Sequence, residues 1–438
     1  MSFLDNYRGE HADRQPPPRV YACVDSIEPI EPGGDGGADI PPDLGVRRPE
    51  DDLVLLDSVD ADWFDRTEGS LVELSDEADW NVSVIATTRT ALEPFVSHEL
   101  LAEGAWLEVS LDPPRLGAGA LHYLNLYGPP DEQSIRSVRP LPDLDPELAR
   151  RTSMDQVADA SEEELERALP RFRVDGAAAY DVGQGNCNAL LQDGVPRLYF
   201  DFGGGVIGNR RSFPAALQAF CLGADPTIVL SHWDWDHWSS ANRQPDSYEQ
   251  TWIVPRQQKT LRPVHATFLG RLLRHRRVLV WPDSLQILSR GDYRLIKCLG
   301  SPRSTNDSGL ALIAEHHAGN EKLRMLFPGD ACYDYIPSSC DTPLVALVAA
   351  HHGANVGARQ IPQPAGDDAT LVYSYGAGNS YPHPSPAGRA VHSGWQHVLE
   401  TAHRNPDLGH AHLYWHVGAS DATPPCGGND CQLTCHQR

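Results

Sequence analysis

The sequence predicts an α/β domain over residues 171–420, preceded by a small acidic β-rich or α+β domain over 51–170. Three observations predict it. From about residue 174, short apolar runs alternate with helix-like segments, the texture of α/β layers. Residues able to do chemistry (Asp201, His232, Asp330, His351, Tyr375) recur where those runs end, the edge at which open α/β sheets bind ligands. Charge is split as well: residues 1–170 hold 37 acidic and 13 basic residues, whereas 171–438 hold 23 of each, so the first part carries all of the net −24. Solubility or a protein partner accounts for such an acidic half, and its repulsion of polyanions does not extend to the second half.

Residues 1–50 are rich in Pro, Gly and Asp and are expected as a loop or linker. "LVLLDS", "WNVSVIATT", "AWLEVSL" and "LHYLNLYG" then give the strands of the small domain, with residues 131–150 as a connection. "SEEELERALPRF" begins with Ser161 and places Glu164 three residues on, a capping-box helix start. Beyond 174 the expected strands include "AAAYD", "RLYFDF", "PTIVL", "WIVP", "KLRMLFPGD", "LVALVAA" and "TLVYSYG". Helices are expected in "FPAALQAFCLG" and around "HATFLGRLLRHRR", where Phe268, Leu269, Leu272 and Leu273 form the apolar face. At 438 residues the chain exceeds one ordinary core. No apolar run nears the roughly 18–20 residues of a membrane span, and the N-terminus lacks an apolar leader, so a cytoplasmic protein without membrane contact is expected. Nine scattered cysteines suit reduced thiols. Residues 421–438 form a Cys-containing tail whose Cys426, Cys431, Cys435 and His436 lack a standard zinc spacing.

The chemistry concentrates in "IVLSHWDWDHWSSA", residues 228–241. His232, Asp234, Asp236 and His237 place four metal-capable side chains within six residues after a strand. Holding them together is unfavourable unless something binds them. The interleaved Trp233, Trp235 and Trp238 serve either as a wall against substrate or, more simply, as packing. Arg256, Lys259, Arg262, Arg271, Arg274, Arg276 and Arg277 form the densest basic cluster, read as a solvated face or as phosphate steering. "GGG" at 203–205 lacks the context of a nucleotide loop.

"DVGQGNCNALL", "DFGGG", "SHWDWDH", "NDSGLAL", "FPGD", "AAHHGA" and "SYGAGNSYPHPSP" follow one another in an order that resembles the metallo-β-lactamase fold superfamily, and within it the soluble hydrolase domain of the competence protein ComEC. The resemblance covers roughly residues 174–400. It implies an αβ/βα four-layer sandwich binding one or two divalent metals, zinc first, with manganese or iron also suited. His232, Asp234, Asp236, His237, Asp330, His352 and His383 would be metal ligands, and Asp236, Asp330 and His352 catalytic. Asp201, His351 and Asn306 would support them from behind, with His351 the alternative to His352. Two departures stand out. Asp234 replaces a histidine, and the mid-domain ligand histidine is missing where Asn306 and Asp307 stand, which makes the site richer in oxygen.

The function expected is a metal-dependent hydrolase using metal-bound hydroxide, first a phosphodiesterase or nuclease acting on a phosphodiester or nucleic acid. An ester, lactone or thioester hydrolase is the alternative. A non-catalytic regulator acting through the acidic domain is the third reading.

Overall fold

A computed structural model of the chain describes residues 14–29, 51–115, 119–141, 146–215, 217, 219–257, 261–275, 277–318, 321–379, 383–403 and 410–415. Lys259, Arg276 and the Cys-containing tail lie outside the described residues.

Six strands open the chain: β1 (Arg19–Pro29), β2 (Asp52–Asp60), β3 (Val82–Thr88), β4 (Trp106–Asp112), β5 (Gly119–Tyr123) and β6 (Asp131–Leu141). They close antiparallel into a barrel in the order β1-β2-β3-β5-β6-β4. Alternation dictates the packing. Val20, Ala22 and Val24 of β1 fill the barrel with Leu56, Ile85 and Val109, while Cys23 faces the rest of the molecule. Two sequence expectations are corrected here. Residues 19–29, expected as linker, pair on both sides within the barrel, and 131–141, expected as a connection, is a barrel strand. Flanking Pro and Gly residues obscured both strands, and only the long-range pairing reveals them.

β1 carries a bulge between Val24 and Ser26, so Asp25 is skipped in the ladder to β2. A bulge reverses the alternation beyond it. Ile27 therefore packs against the barrel core, whereas Asp25, Ser26 and Glu28 line a pocket outside it.

The remaining strands form two seven-stranded sheets. In chain order, β7 (Gly176–Tyr180), β8 (Cys187–Gln192), β9 (Val195–Phe202), β10 (Thr227–Val229), β11 (Trp252–Pro255) and β12 (Val278–Trp281) belong to the first. β13 (Ile287–Arg290), β14 (Tyr293–Lys297), β15 (Leu310–Ala318), β16 (Glu321–Phe327), β17 (Ala346–Val348), β18 (Thr370–Tyr373) and β19 (His397–Glu400) make the second. β20 (His410–Tyr414) returns to pair with β7. Leu190, Leu198, Phe200 and Val229 of the first sheet share one buried cluster with Leu295, Leu312, Met325 and Val348 of the second, so the sheets pack face to face. β9 and β10 run parallel, as do β16, β17 and β18, which brings their carboxyl ends into shared edges.

The helix Pro263–Arg274 lies between the first sheet and the barrel. Phe268, Leu269 and Leu272 are buried as the periodicity predicts, with Leu273 packed partly against the same cluster. Val264, His265, Ala266 and Thr267 are buried as well. Asp57 of β2 accepts from the Val264 amide at 3.0 Å, satisfying a donor of the helix's first turn. The segment 213–223 contains no helix among the described residues.

Candidate metal centre

The carboxyl ends of β9, β10, β16 and β17 converge on one cluster. Asp201, at the end of β9, is fully buried and adopts a left-handed backbone, φ 64°. Its Oδ1 accepts from the Ser231 amide at 2.7 Å and its Oδ2 from the Ser231 hydroxyl at 2.9 Å. The same Oδ2 accepts from His237 Nδ1 at 2.9 Å. With its proton committed to Asp201, Ser231 Oγ accepts from His232 Nδ1 at 2.9 Å. His352 Nδ1 donates to the Ser374 carbonyl at 2.7 Å. A carbonyl can only accept, which assigns the proton to Nδ1 and leaves the lone pair on Nε2. These three networks fix all three imidazoles in the tautomer a metal ligand needs.

The freed nitrogens point at carboxylates. His237 Nε2 stands 3.2 Å from Asp330 Oδ1, His352 Nε2 3.1 Å from Asp236 Oδ2 and His232 Nε2 3.9 Å from Asp330 Oδ2. All three Nε2 atoms are buried and form no hydrogen bond. Lone pairs and carboxylate oxygens that converge without bonding one another repel, unless a proton or a metal cation lies between them. His232, His237 and Asp330 bring one donor atom each within 4.8 Å of the others, and Asp236, His237 and His352 do the same. The residues therefore fit one or two divalent ions.

Electrostatics agree. Burial disfavours the Asp330 carboxylate, but His237, His352 and His351 outweigh it and hold the group well below the usual carboxylate range. Burial also opposes charge on Asp236, yet His237 and His352 bring it to about 2. Burial lowers His237, and Asp330, Asp201 and Asp236 overcome that and raise it well above the usual imidazole range, so that without an ion a proton occupies the nitrogen that would face the metal. His232, buried beside His237, is pushed well down. Perturbation of this size in a cleft marks a functional site.

The backbone is shaped to the same end. Gly329, just before Asp330, has φ 59°, and a Cβ there would stand 2.8 Å from Ser231 Cβ and Oγ. At Gly203 a Cβ would overlap the Asp236 carbonyl oxygen, so "GGG" serves close approach of the metal loop. His351 and His352 are both left-handed, φ 46° and 53°, a costly pair for non-glycine residues. This turn directs the two rings differently: His352 faces Asp236, while His351 packs on His383 with ring centroids 4.9 Å apart.

Of the residues expected from sequence, the cluster unites His232, Asp236, His237, Asp330 and His352, with Asp201 behind His237. Asp234 caps the short helix that carries Asp236 and His237, accepting from the Trp235 amide at 2.8 Å, and its Oδ2 lies 3.9 Å from His232 Nε2. His383 groups instead with His351 and Glu28, and His351 Nε2 lies 3.6 Å from Asp330 Oδ2. Asn306 begins a half-buried 3-10 turn and forms no side-chain hydrogen bond to the cluster among the described residues; neighbouring Asp307 accepts from the Cys332 amide at 2.9 Å. The three tryptophans are all buried, with Trp238 stacked on Phe268 and Trp235 on His265.

Sequence reasoning missed Ser231, Asn186, Ser374 and Glu28. Ser231 adjoins the motif and could have been found there. Asn186 donates to Asp330 at 3.4 Å from within "DVGQGNC". Ser374 acts through its carbonyl and Glu28 through a bulge, and neither leaves a trace in sequence. A pocket over the cluster is lined by Asp25, Glu28, Asp234, Asp236, Asp330 and the histidines 351, 352 and 383. Val206, Ile207 and Trp235 add an apolar side. None of its described lining residues is Lys or Arg.

Four arginines of the basic cluster are engaged in ion pairs. Arg262 pairs with Asp25 at 2.9 Å, Arg256 with Asp159 at 2.5 Å, Arg271 with Asp79 and Arg274 with Asp76. All four partners belong to the acidic first part of the chain.

No family model matches the sequence, and no curated protein matches it. Solved structures similar to this one include metallo-β-lactamases. In particular, Zn(2+)-bound PqqB from Methylobacterium extorquens is 14% identical over 50% of this chain and 85% of that one, TM-score 0.29. MEM-A1, a subclass B3 metallo-β-lactamase from a soil metagenome library, is 12% identical over 42% and 81%, TM-score 0.27. CmlA, a diiron β-hydroxylase from Streptomyces venezuelae, is 13% identical over 76% and 73%, TM-score 0.31.

Proposed function

We propose that the protein is a metal-dependent hydrolase with a metallo-β-lactamase-type four-layer arrangement, and that it acts on a small phosphodiester rather than on a nucleic-acid polymer. The observation that carries the reading is the convergence of the His232, His237 and His352 Nε2 lone pairs on Asp330 and Asp236. A divalent metal held there would acidify water and neutralise charge developing on a phosphoryl or carbonyl oxygen. The chain's own part is to fix the donors: Asp201 holds the Nδ1 proton of His237, and the Ser374 carbonyl holds that of His352. Preference for a small substrate follows from the pocket's acidic lining and from arginines already paired within the chain.

Val206, Ile207 and Trp235 on the pocket wall favour a second reading, hydrolysis of an ester, lactone or thioester. The deciding experiment combines elemental analysis of the purified protein with bis(p-nitrophenyl) phosphate, p-nitrophenyl acetate and a single-stranded oligonucleotide as substrates. Metal-dependent cleavage of the first alone is expected. Preferential oligonucleotide cleavage would overturn the small-substrate reading, and acetate cleavage alone would select the second.

A further inference from the structure

Glu28, His351 and His383 bring one donor atom each within 4.8 Å of the others, a trio separate from the two that share His237. It has an unusual origin. Glu28 belongs to β1 of the barrel, His351 to the turn after β17 and His383 to the segment after β18. Glu28 is in position because the bulge at Asp25 reverses the alternation of β1; without it, Glu28 would lie on the barrel-core side with Val20, Ala22 and Val24. The pocket then gathers five carboxylates, those of Asp25, Glu28, Asp234, Asp236 and Asp330. Arg262 answers Asp25, and the metal trios built on Asp330 and Asp236 account for two more. Burial opposes charge on Glu28, and Glu103, Asp330 and Asp236 oppose it further, with His351 acting the other way. A carboxylate placed between two imidazoles in an acidic pocket is stabilised by a cation.

We propose that Glu28, His351 and His383 form a further divalent-cation site, completed only when the barrel is seated against the sheets. Two imidazoles and one carboxylate are a donor set suited to zinc, and three protein ligands leave a coordination position for a small molecule. The barrel would thus supply part of the metal-binding pocket, and the cation would tie the barrel to the second sheet.

The test uses the full-length protein, stripped with chelator and titrated with zinc alone, the bound equivalents being read by elemental analysis after equilibrium dialysis. Wild type is expected to hold one equivalent more than Glu28→Gln. His383→Gln, altered on the opposite side of the trio, is expected to lose the same single equivalent. Cobalt(II) difference spectra should show that the remaining ions keep their wild-type bands. Equal stoichiometry in wild type and Glu28→Gln overturns the proposal, whatever the shared number. Complete absence of zinc from the wild type would overturn the hydrolase reading too, so the two failures are distinguishable. Should Glu28→Gln fail to fold, His383→Gln alone decides: retention of every equivalent overturns the site.

Discussion

His237 Nδ1 donates to Asp201 Oδ2 across 2.9 Å in a fully buried pair, and this one bond aims His237 Nε2 at Asp330. Replacing the carboxylate by an amide weakens that hold without changing its size. Asp201→Asn should bind zinc about 10–100-fold more weakly, as expected for loss of a partner behind a metal-ligating histidine. Competition with a chromophoric chelator measures the affinity, and an unchanged value would mean that Asp201 only packs.

Asp330 lies near His232, His237, His351 and His352. Asp330→Ala should remove zinc from the His232–His237–Asp330 group and lower hydrolysis by about 100-fold or more. Elemental analysis and rate are read together, with circular dichroism as the folding control. Full metal content at the wild-type rate would show that Asp330 has another role.

Gly203 has no room for a side chain beside the Asp236 carbonyl. Gly203→Ala should destabilise the protein by about 1–3 kcal/mol through overpacking and displace the loop bearing Asp236 and His237. Thermal unfolding with and without zinc gives both effects. A variant with wild-type melting temperature and zinc response would contradict the close approach.

Asp25 meets Arg262 at 2.9 Å in a buried ion pair linking the barrel to the helix Pro263–Arg274. Removing one partner strands the other, so Asp25→Ala should cost about 3–5 kcal/mol, whereas Asp25→Ala with Arg262→Met should recover much of it. Urea denaturation of the four members of this cycle supplies the coupling. Additive effects would rule out a stabilising pair. The same pairs warn against deleting residues 1–170, because deletion would strip Arg256, Arg262, Arg271 and Arg274 of their partners together.

His122, sealed inside the barrel with Nε2 2.8 Å from Ser83 Oγ, is lowered by burial, and secondarily by Arg14, from 6.5 to about 3. Above pH ~6.5 the ring is neutral both folded and unfolded and contributes nothing to the slope. Between that pH and about 3 only the unfolded chain takes up the proton, so stability is lost as pH falls, by about 1.4 kcal/mol per unit. His122→Gln should remove this slope. The stability difference between wild type and variant, measured at pH 4, 5, 6 and 7.5, should therefore change below pH 6. A constant difference would show that His122 titrates normally.

What the sequence determined by itself is local. Apolar alternation and turn residues set most strands, Ser161 and Glu164 set their capping box, and His232, Asp234, Asp236 and His237 stand close together because one loop carries them. The strand pattern placed Asp201, His232, Asp330 and His351 at strand ends, where the structure has them, because parallel strands share their carboxyl edge. Tertiary structure alone decided the rest. That 19–29 and 131–141 are barrel strands depends on partners tens of residues away. Whether His351 or His352 faces Asp236 was settled by two successive left-handed backbones, and the arrival of Glu28 at the pocket by one extra residue in β1. Arg256, Arg262, Arg271 and Arg274 find acidic partners 97 to 237 positions earlier, beyond the reach of any local reading. Periodicity reports which face of an element is apolar, but register, bulges and ion pairs across the chain arise only when distant segments meet.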